Sequence, residues 1–102
     1  MKVEWLYEAQ CEFRDFLIYY KTQVGEPYAR KFSDKILGQV QQLASFPEMG
    51  VLKKATLMGK YGFRALFIGQ YVCVYKIEGD TVLVYHLADA RRNYIYHIFG
   101  LE

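Results

Sequence analysis

Arg64 and His86 are the side chains of this sequence best suited to chemistry on a phosphodiester. The planar guanidinium of an Arg contacts two phosphate oxygens at once, and the imidazole of a His exchanges a proton near neutral pH. Tyr94 offers a ring that stacks on a base and a hydroxyl that donates a proton, with Tyr96 and His97 as second candidates. The alternatives are an Arg paired with an acid, a structural His and tyrosines in ordinary packing.

Basic residues are concentrated in one stretch of the chain. Positions 1–48 carry six Lys/Arg and seven Asp/Glu, whereas positions 49–77 carry no acid. The basic residues of the acid-free stretch are Lys53, Lys54, Lys60, Arg64 and Lys76. This pattern is typical of a surface that contacts a polyanion such as nucleic acid. A solvated loop that holds several lysines accounts for the same charges.

Other kinds of site have no signature here. The two cysteines, Cys11 and Cys73, lack the spacing of a metal site. The sequence contains no phosphate-binding Gly loop, no Ser-His-Asp set and no zinc motif. We therefore expect neither a metal nor a cofactor.

Length and composition favour one domain over residues 1–102, because a chain of this size supports a single core. A hydrophobic content of 53% excludes a disordered chain. No apolar run approaches the roughly 18 residues of a membrane span. The acids Glu4, Glu8 and Glu12 are unlike a secretory signal. We expect a cytoplasmic protein without a membrane partner.

The first half of the chain predicts a short strand at residues 3–6 and two helices. Apolar residues recur at helical spacing between residues 7 and 24. Gly25 ends this helix and Pro27 begins the next, which is predicted to run to Ser45. The short connection makes the two helices an antiparallel hairpin.

The second half predicts three antiparallel strands at residues 63–68, 71–77 and 81–87, followed by a short helix within 91–99. Gly69-Gln70 and Gly79-Asp80 have the composition of two-residue hairpin turns. The whole is an α+β domain, in which a helical hairpin packs on an antiparallel sheet.

Two-residue turns fix which strand residues lie opposite each other. They place Arg64 opposite Tyr75, Tyr75 opposite Val84, and Cys73 opposite His86, so that Arg64 and His86 share a face. The other face is almost entirely apolar, and we expect the helices to cover it. Its residues are Phe63, Ala65, Phe67, Val72, Val74, Leu83, Tyr85 and Leu87.

The order of elements and several sequence segments resemble the RelE/ParE toxin superfamily over essentially the whole chain. The segments are residues 43–50 (LASFPEMG), Phe63-Arg64, residues 71–77 (YVCVYKI), residues 82–87 (VLVYHL) and residues 90–94 (ARRNY). The resemblance implies the toxin of a type II toxin–antitoxin system, with a cognate antitoxin protein as partner. One branch of the superfamily cleaves mRNA on the ribosome without metal, and another inhibits DNA gyrase.

The resemblance also implies roles for individual residues. Arg64 matches a strand arginine that contacts the scissile phosphate, Lys53-Lys54 a basic pair before that strand, and Arg91-Arg92 an arginine site after the last strand. The predicted catalytic residues are Arg64, His86, Arg91 and Tyr94, and the predicted RNA contacts are Lys53, Lys54, Lys60 and Arg92. The chain departs from the pattern at Asp89-Ala90, where many members have a His, and it has no clear carboxylate base near Arg64.

Three functions therefore compete. The first is a metal-independent, ribosome-dependent mRNA endonuclease that inhibits translation, with ribosome and mRNA as partners. The alternative is a gyrase inhibitor without nuclease activity, which acts through surface contacts of the hairpin and the terminal segment. The third is an inactive module that only binds an antitoxin.

Overall fold

The computed structural model describes residues 1–99, and for Tyr96, His97 and Phe99 it describes the backbone alone. The predicted roles of the Tyr96 and His97 side chains therefore lie outside the described residues. The elements in chain order are β1 (Lys2–Trp5), α1 (Tyr7–Gln23), α2 (Glu26–Gln41), a 3₁₀ turn (Gln42–Ala44), α3 (Leu57–Lys60), β2 (Arg64–Ile68), β3 (Tyr71–Glu78), β4 (Thr81–Asp89) and α4 (Tyr94–Phe99).

The four strands form one sheet in the order β1-β4-β3-β2. The strands β2, β3 and β4 are joined by the two predicted hairpins, whose turn glycines Gly69 and Gly79 have φ of 59° and 61°. This left-handed conformation suits tight hairpin turns and favours glycine. The strand β1 pairs in parallel with the first half of β4, from Thr81 to Val84. The α+β class is confirmed, and the parallel pairing makes the sheet mixed.

The helices α1 and α2 cover one face of the sheet, called here the inner face. Their connection at Val24-Gly25 is short; Gly25 adopts φ 130° as the N-cap of α2, and Pro27 lies in the first turn of that helix. Aromatic side chains fill the space between helices and sheet, with Phe16, Phe32 and Tyr71 packed within 6 Å of one another. The buried sheet residues beneath the hairpin are Leu66, Ile68, Tyr71, Cys73, Tyr75, Val82, Val84 and Leu87.

The opposite face, called the outer face, carries a second and smaller core. Ala65, Val72 and Val74 pack against Met58 of α3 and against Ile95 and Ile98 of α4. The sheet is thus covered on both sides over part of its area. This second layer is the reason that both faces are apolar in sequence.

The prediction that the helical hairpin covers the face of Phe63, Val72 and Val74 is wrong. Those residues belong to the outer face, and the hairpin lies on the face that carries Arg64 and Tyr75. Strand alternation separates two faces but does not say which one meets the hairpin when both are apolar.

A β-bulge in β4 changes the second predicted register. Tyr75 pairs with Val84 as predicted, but Val74 pairs with His86 and Cys73 with Leu87, so Tyr85 is the extra residue. An extra residue reverses the faces beyond it. The predicted shared face of Arg64 and His86 is therefore wrong.

Two helix predictions also need adjustment. The second helix ends at Gln41 and continues as the 3₁₀ turn, instead of running unbroken to Ser45. The short helix α3 was not predicted, because four residues that include a Gly carry no readable helical period. None of the helices within residues 1–99 has the length and apolar character needed to cross a membrane.

Candidate functional site

Arg64 begins β2 and points at the loop that follows the 3₁₀ turn. Its Nη1 donates to the carbonyl oxygens of Gly50 at 2.9 Å and Glu48 at 3.4 Å, and its Nη2 lies 3.9 Å from the Glu48 carboxylate. Only 17% of its side chain is exposed. The predicted orientation of Arg64 away from the hairpin side is wrong, and its guanidinium binds backbone of its own chain.

Tyr75 completes the attachment of the same loop. Its hydroxyl donates to the Pro47 carbonyl at 2.7 Å and accepts from the Gly50 amide at 2.8 Å. Burial raises the pKa of Tyr75, although the Gly50 amide and the nearby Arg64 oppose the shift. The segment from Pro47 to Gly50 is therefore fixed by two neighbouring strand residues.

His86 is held at the open edge of β4 by a carboxylate from α1. Its Nδ1 lies 3.2 Å from Oε1 of Glu12, and the same oxygen accepts from the Leu87 amide at 3.0 Å. Since β1 ends at Trp5, opposite Val84, no strand within residues 1–99 covers this part of β4. The Glu12 carboxylate accepts the hydrogen bond from the Leu87 amide that the backbone of a neighbouring strand would otherwise accept.

The predicted RNA-contacting lysines Lys53, Lys54 and Lys60 are all exposed. Thr56 caps α3 by accepting from the Gly59 amide, and its hydroxyl donates to the Lys53 carbonyl at 2.7 Å. The loop and α3 thus form one folded unit rather than a free loop.

Arg91 and Arg92 follow β4 and are exposed. Arg91 forms a bidentate salt bridge with Asp89, in which Nε donates to Oδ1 at 3.1 Å and Nη2 donates to Oδ2 at 2.8 Å. The hydrogen-bonded guanidinium of Arg91 lowers the pKa of Asp89, and the Asp89 carboxylate raises the pKa of Arg91. Tyr94 is half-buried against Phe67, and burial raises the pKa of its hydroxyl.

An open groove of about 700 Å³ lies between α1 and the end of β4. Arg91, Arg92 and Tyr94 line it on one side, and Tyr19 and Tyr20 of α1 line it on the other. The hydroxyl of Tyr20 forms a hydrogen bond with the hydroxyl of Tyr71. The Tyr71 hydroxyl also accepts a hydrogen bond from Gln70 Nε2 at 3.0 Å. Burial and this Tyr20 contact raise the pKa of Tyr71.

The structure brings together only part of the predicted site. Arg91, Arg92 and Tyr94 line the groove, whereas Arg64 binds the Pro47–Gly50 segment and Lys53, Lys54 and Lys60 lie in or before α3. Sequence reasoning missed Glu12 and Tyr75, whose partners are far away in sequence and leave no local signal. Within residues 1–99 no cluster of three or more potential ligands is arranged to hold a metal ion.

The strand β1, the helical hairpin and the antiparallel strands β2, β3 and β4 follow one another in the order that the RelE/ParE resemblance implied. A family model described as the ParE toxin of the type II toxin–antitoxin system parDE matches residues 3–94. The chain therefore belongs to the ParE toxin family, and the resemblance seen in the sequence is confirmed.

A solved structure supports the same fold. It is described as the chromosomal ParDE TA system from P. aeruginosa, and it matches with a TM-score of 0.74 at 18% sequence identity. The match covers 87% of this chain and 95% of the other. No curated protein sequence matches the chain.

Proposed function

We propose that this toxin inhibits DNA gyrase without cleaving RNA, and that a cognate antitoxin neutralises it. The observation that carries the proposal is the match of the ParE family model to residues 3–94. The family match favours gyrase inhibition over mRNA cleavage.

The contacts of Arg64 and His86 support the same choice. Cleavage of RNA needs cations aimed at the charge that develops on the phosphate. Arg64 directs its Nη1 at two backbone carbonyls and keeps 17% of its side chain exposed. His86 binds Glu12. Both contacts favour structural roles for these two residues.

The end of the helical hairpin offers a surface for a protein target. Ile18, Tyr19 and Val24 are 53%, 57% and 59% exposed, and Tyr28 is 43% exposed. Exposed apolar and aromatic side chains are typical of protein-binding surfaces, and two of these, Tyr19 and Tyr28, line the groove. We therefore assign the gyrase contact to this hairpin end.

The test is a gyrase supercoiling reaction with relaxed plasmid and purified toxin. We expect loss of supercoiled product, and restoration when the antitoxin is added. The variant Tyr19→Ser with Val24→Ser should lose inhibition, whereas Lys31→Gln on the exposed surface of α2 should keep it. Normal supercoiling in a molar excess of toxin would overturn the proposal.

The mRNA endonuclease is retained as a second candidate because of the exposed Lys53, Lys54 and Lys60. A defined translation reaction, with mRNA ends mapped by primer extension, distinguishes it. Ribosome-dependent ends that disappear in Arg64→Lys would support cleavage. Intact mRNA together with inhibited gyrase would support the first proposal.

A further inference from the structure

We propose that the outer basic face binds the phosphate backbone of duplex DNA. This surface is defined by four lysines and two aromatic residues: Lys53, Lys54, Lys60, Lys76, Phe63 and Tyr85. The inference rests on the proposed function, because a toxin bound to gyrase would lie close to the DNA that gyrase binds. DNA binding can nevertheless be tested on the toxin alone.

The lysines around α3 are held on a rigid support. Met58 of α3 packs against Ala65 and Val74 on the outer face, so α3 is anchored to the sheet. A Cβ on Gly59 would lie 1.9 Å from the Lys53 carbonyl oxygen, which shows how closely the backbone at Lys53 passes α3. The backbones of Lys53 and Lys60 are therefore fixed relative to the sheet, and less ordering entropy is lost on binding.

Lys76 extends the cationic surface from α3 onto the sheet. Its Nζ lies 4.4 Å from the ring centroid of Phe63 and 5.8 Å from that of Tyr85. The two rings pack edge to face at 5.0 Å. Cation–π contacts hold the ammonium group in place above the sheet. A positioned cation meets a phosphate at a lower entropic cost than a freely moving one.

The chemistry of this surface fits phosphates better than bases. The cations of the outer basic face are lysines alone, and a lysine ammonium is a compact point charge on a flexible stem, without the planar fork that gives an arginine its geometric specificity. Stacking on single strands needs an open aromatic face. Lys76 lies over the Phe63 ring, and Tyr85 packs against the same ring. We therefore expect the outer basic face to bind duplex DNA without sequence preference.

Among the described residues, the strands of the outer face carry two acids. The acid-free stretch supplies all four lysines. By strand alternation the outer face also carries Glu78, two residues beyond Lys76 on β3, and Glu4 on β1. Glu4 lies 3.6 Å from Lys2 Nζ. The duplex is therefore expected to lie towards α3 and β2, away from these two carboxylates.

The experiment measures fluorescence anisotropy of a labelled DNA duplex with purified toxin, in the absence of gyrase. Four neutralised phosphates predict a slope of about −3.6 for log K against log salt, or roughly a hundredfold loss between about 50 and 200 mM salt. The triple variant Lys53→Gln, Lys54→Gln, Lys60→Gln should flatten that slope by about 2.7. The matched control carries the same charge change on the hairpin, at Lys21, Lys31 and Lys35, and should leave the slope unchanged.

Three results would overturn the proposal. The first is that a toxin shown to be folded by circular dichroism does not bind the duplex at low salt. The second is equal weakening by the two triple variants, because the attraction would then depend on net charge alone. The third is tighter binding of a single-stranded RNA of equal length. Gyrase inhibition is measured separately, so either proposal can fail while the other stands.

Discussion

Arg64 and Tyr75 lie directly opposite each other on β2 and β3. Both form hydrogen bonds to the backbone of Gly50: Arg64 donates to its carbonyl, and Tyr75 accepts from its amide. A Cβ on Gly50 would lie 2.7 Å from the Tyr75 ring, so only glycine fits this approach. The pair connects the end of the helical hairpin to the centre of the sheet.

The first prediction concerns this pair. Tyr75→Phe removes a buried hydroxyl, so the Gly50 amide and the Pro47 carbonyl each lose their hydrogen bond to Tyr75. The free energy of unfolding should fall by about 1–3 kcal/mol. Arg64→Met should also destabilise the fold. Because both residues hold Gly50, the double variant should deviate from additivity by at least about 0.5 kcal/mol. Urea unfolding of the four proteins measures this, and strict additivity would contradict the shared role.

The second prediction compares two glycines. Gly59→Ala places a methyl group against the Lys53 carbonyl, so α3 has to move off its support, at a cost of about 1–3 kcal/mol. Gly38 lies within α2 with nothing within 4 Å of an added Cβ. Gly38→Ala should therefore stabilise the protein by about 0.5–1 kcal/mol. Thermal unfolding of both variants should show shifts of opposite sign. A rise in melting temperature for Gly59→Ala would refute the close packing.

The third prediction concerns Glu12 and the open edge of β4. Glu12→Leu removes the acceptor of the Leu87 amide, and a hydrogen bond to a charged group contributes about 1.5–3 kcal/mol. Exchange of the Leu87 amide should accelerate by about tenfold or more, since each 1.36 kcal/mol is a factor of ten. Glu12→Gln keeps an acceptor oxygen and should retain part of the protection. Hydrogen exchange followed by NMR checks both, and unchanged exchange in Glu12→Leu would rule the contact out.

The fourth prediction is a loss of stability in alkali. Burial raises the pKa of the Cys73 thiol from 9.0 to about 12. Above pH 9 the unfolded thiol loses its proton while the native thiol keeps it, so unfolding becomes easier as pH rises. The free energy of unfolding should fall by about 1.4 kcal/mol per pH unit through this window. The raised pKa of Tyr71 and of Tyr75 adds to the fall at higher pH.

Urea unfolding in reducing buffer between about pH 8 and pH 10 measures this slope. Cys73→Ala should flatten it just above pH 9, whatever its effect on stability at neutral pH. Cys11→Ala serves as the matched control and should keep the contribution of Cys73. A slope that is the same with and without the Cys73 thiol would contradict the prediction.

Local signals in the sequence were sufficient for the four strands, the helical hairpin and the register of the first β-hairpin, but not for α3. Gly69-Gln70 set the register of β2 and β3 correctly, because a two-residue turn allows only one pairing. The helical hairpin followed from apolar spacing and from Gly25 and Pro27. These features depend on residues close together in the chain, and the sequence contains them directly.

Features that depend on distant contacts were not predictable. The bulge at Tyr85 has no marker in the strand itself, and it moved His86 away from the face of Arg64. Arg64 carries the residue type of a phosphate-binding site, yet its partners are carbonyl groups of Glu48 and Gly50. Residue type alone does not distinguish a guanidinium that binds a ligand from one that binds its own backbone.

The two halves of β4 differ in how quickly their backbone groups become accessible. From Thr81 to Val84 the strand is covered by β1, and releasing it requires local unfolding, a process of microseconds to seconds. At Leu87 the cover is one carboxylate, so exposing the amide requires a movement of the Glu12 side chain and not the release of a strand. A single strand therefore combines a half closed by backbone pairing with a half closed by one side chain, and the second half is the one that a small local movement uncovers.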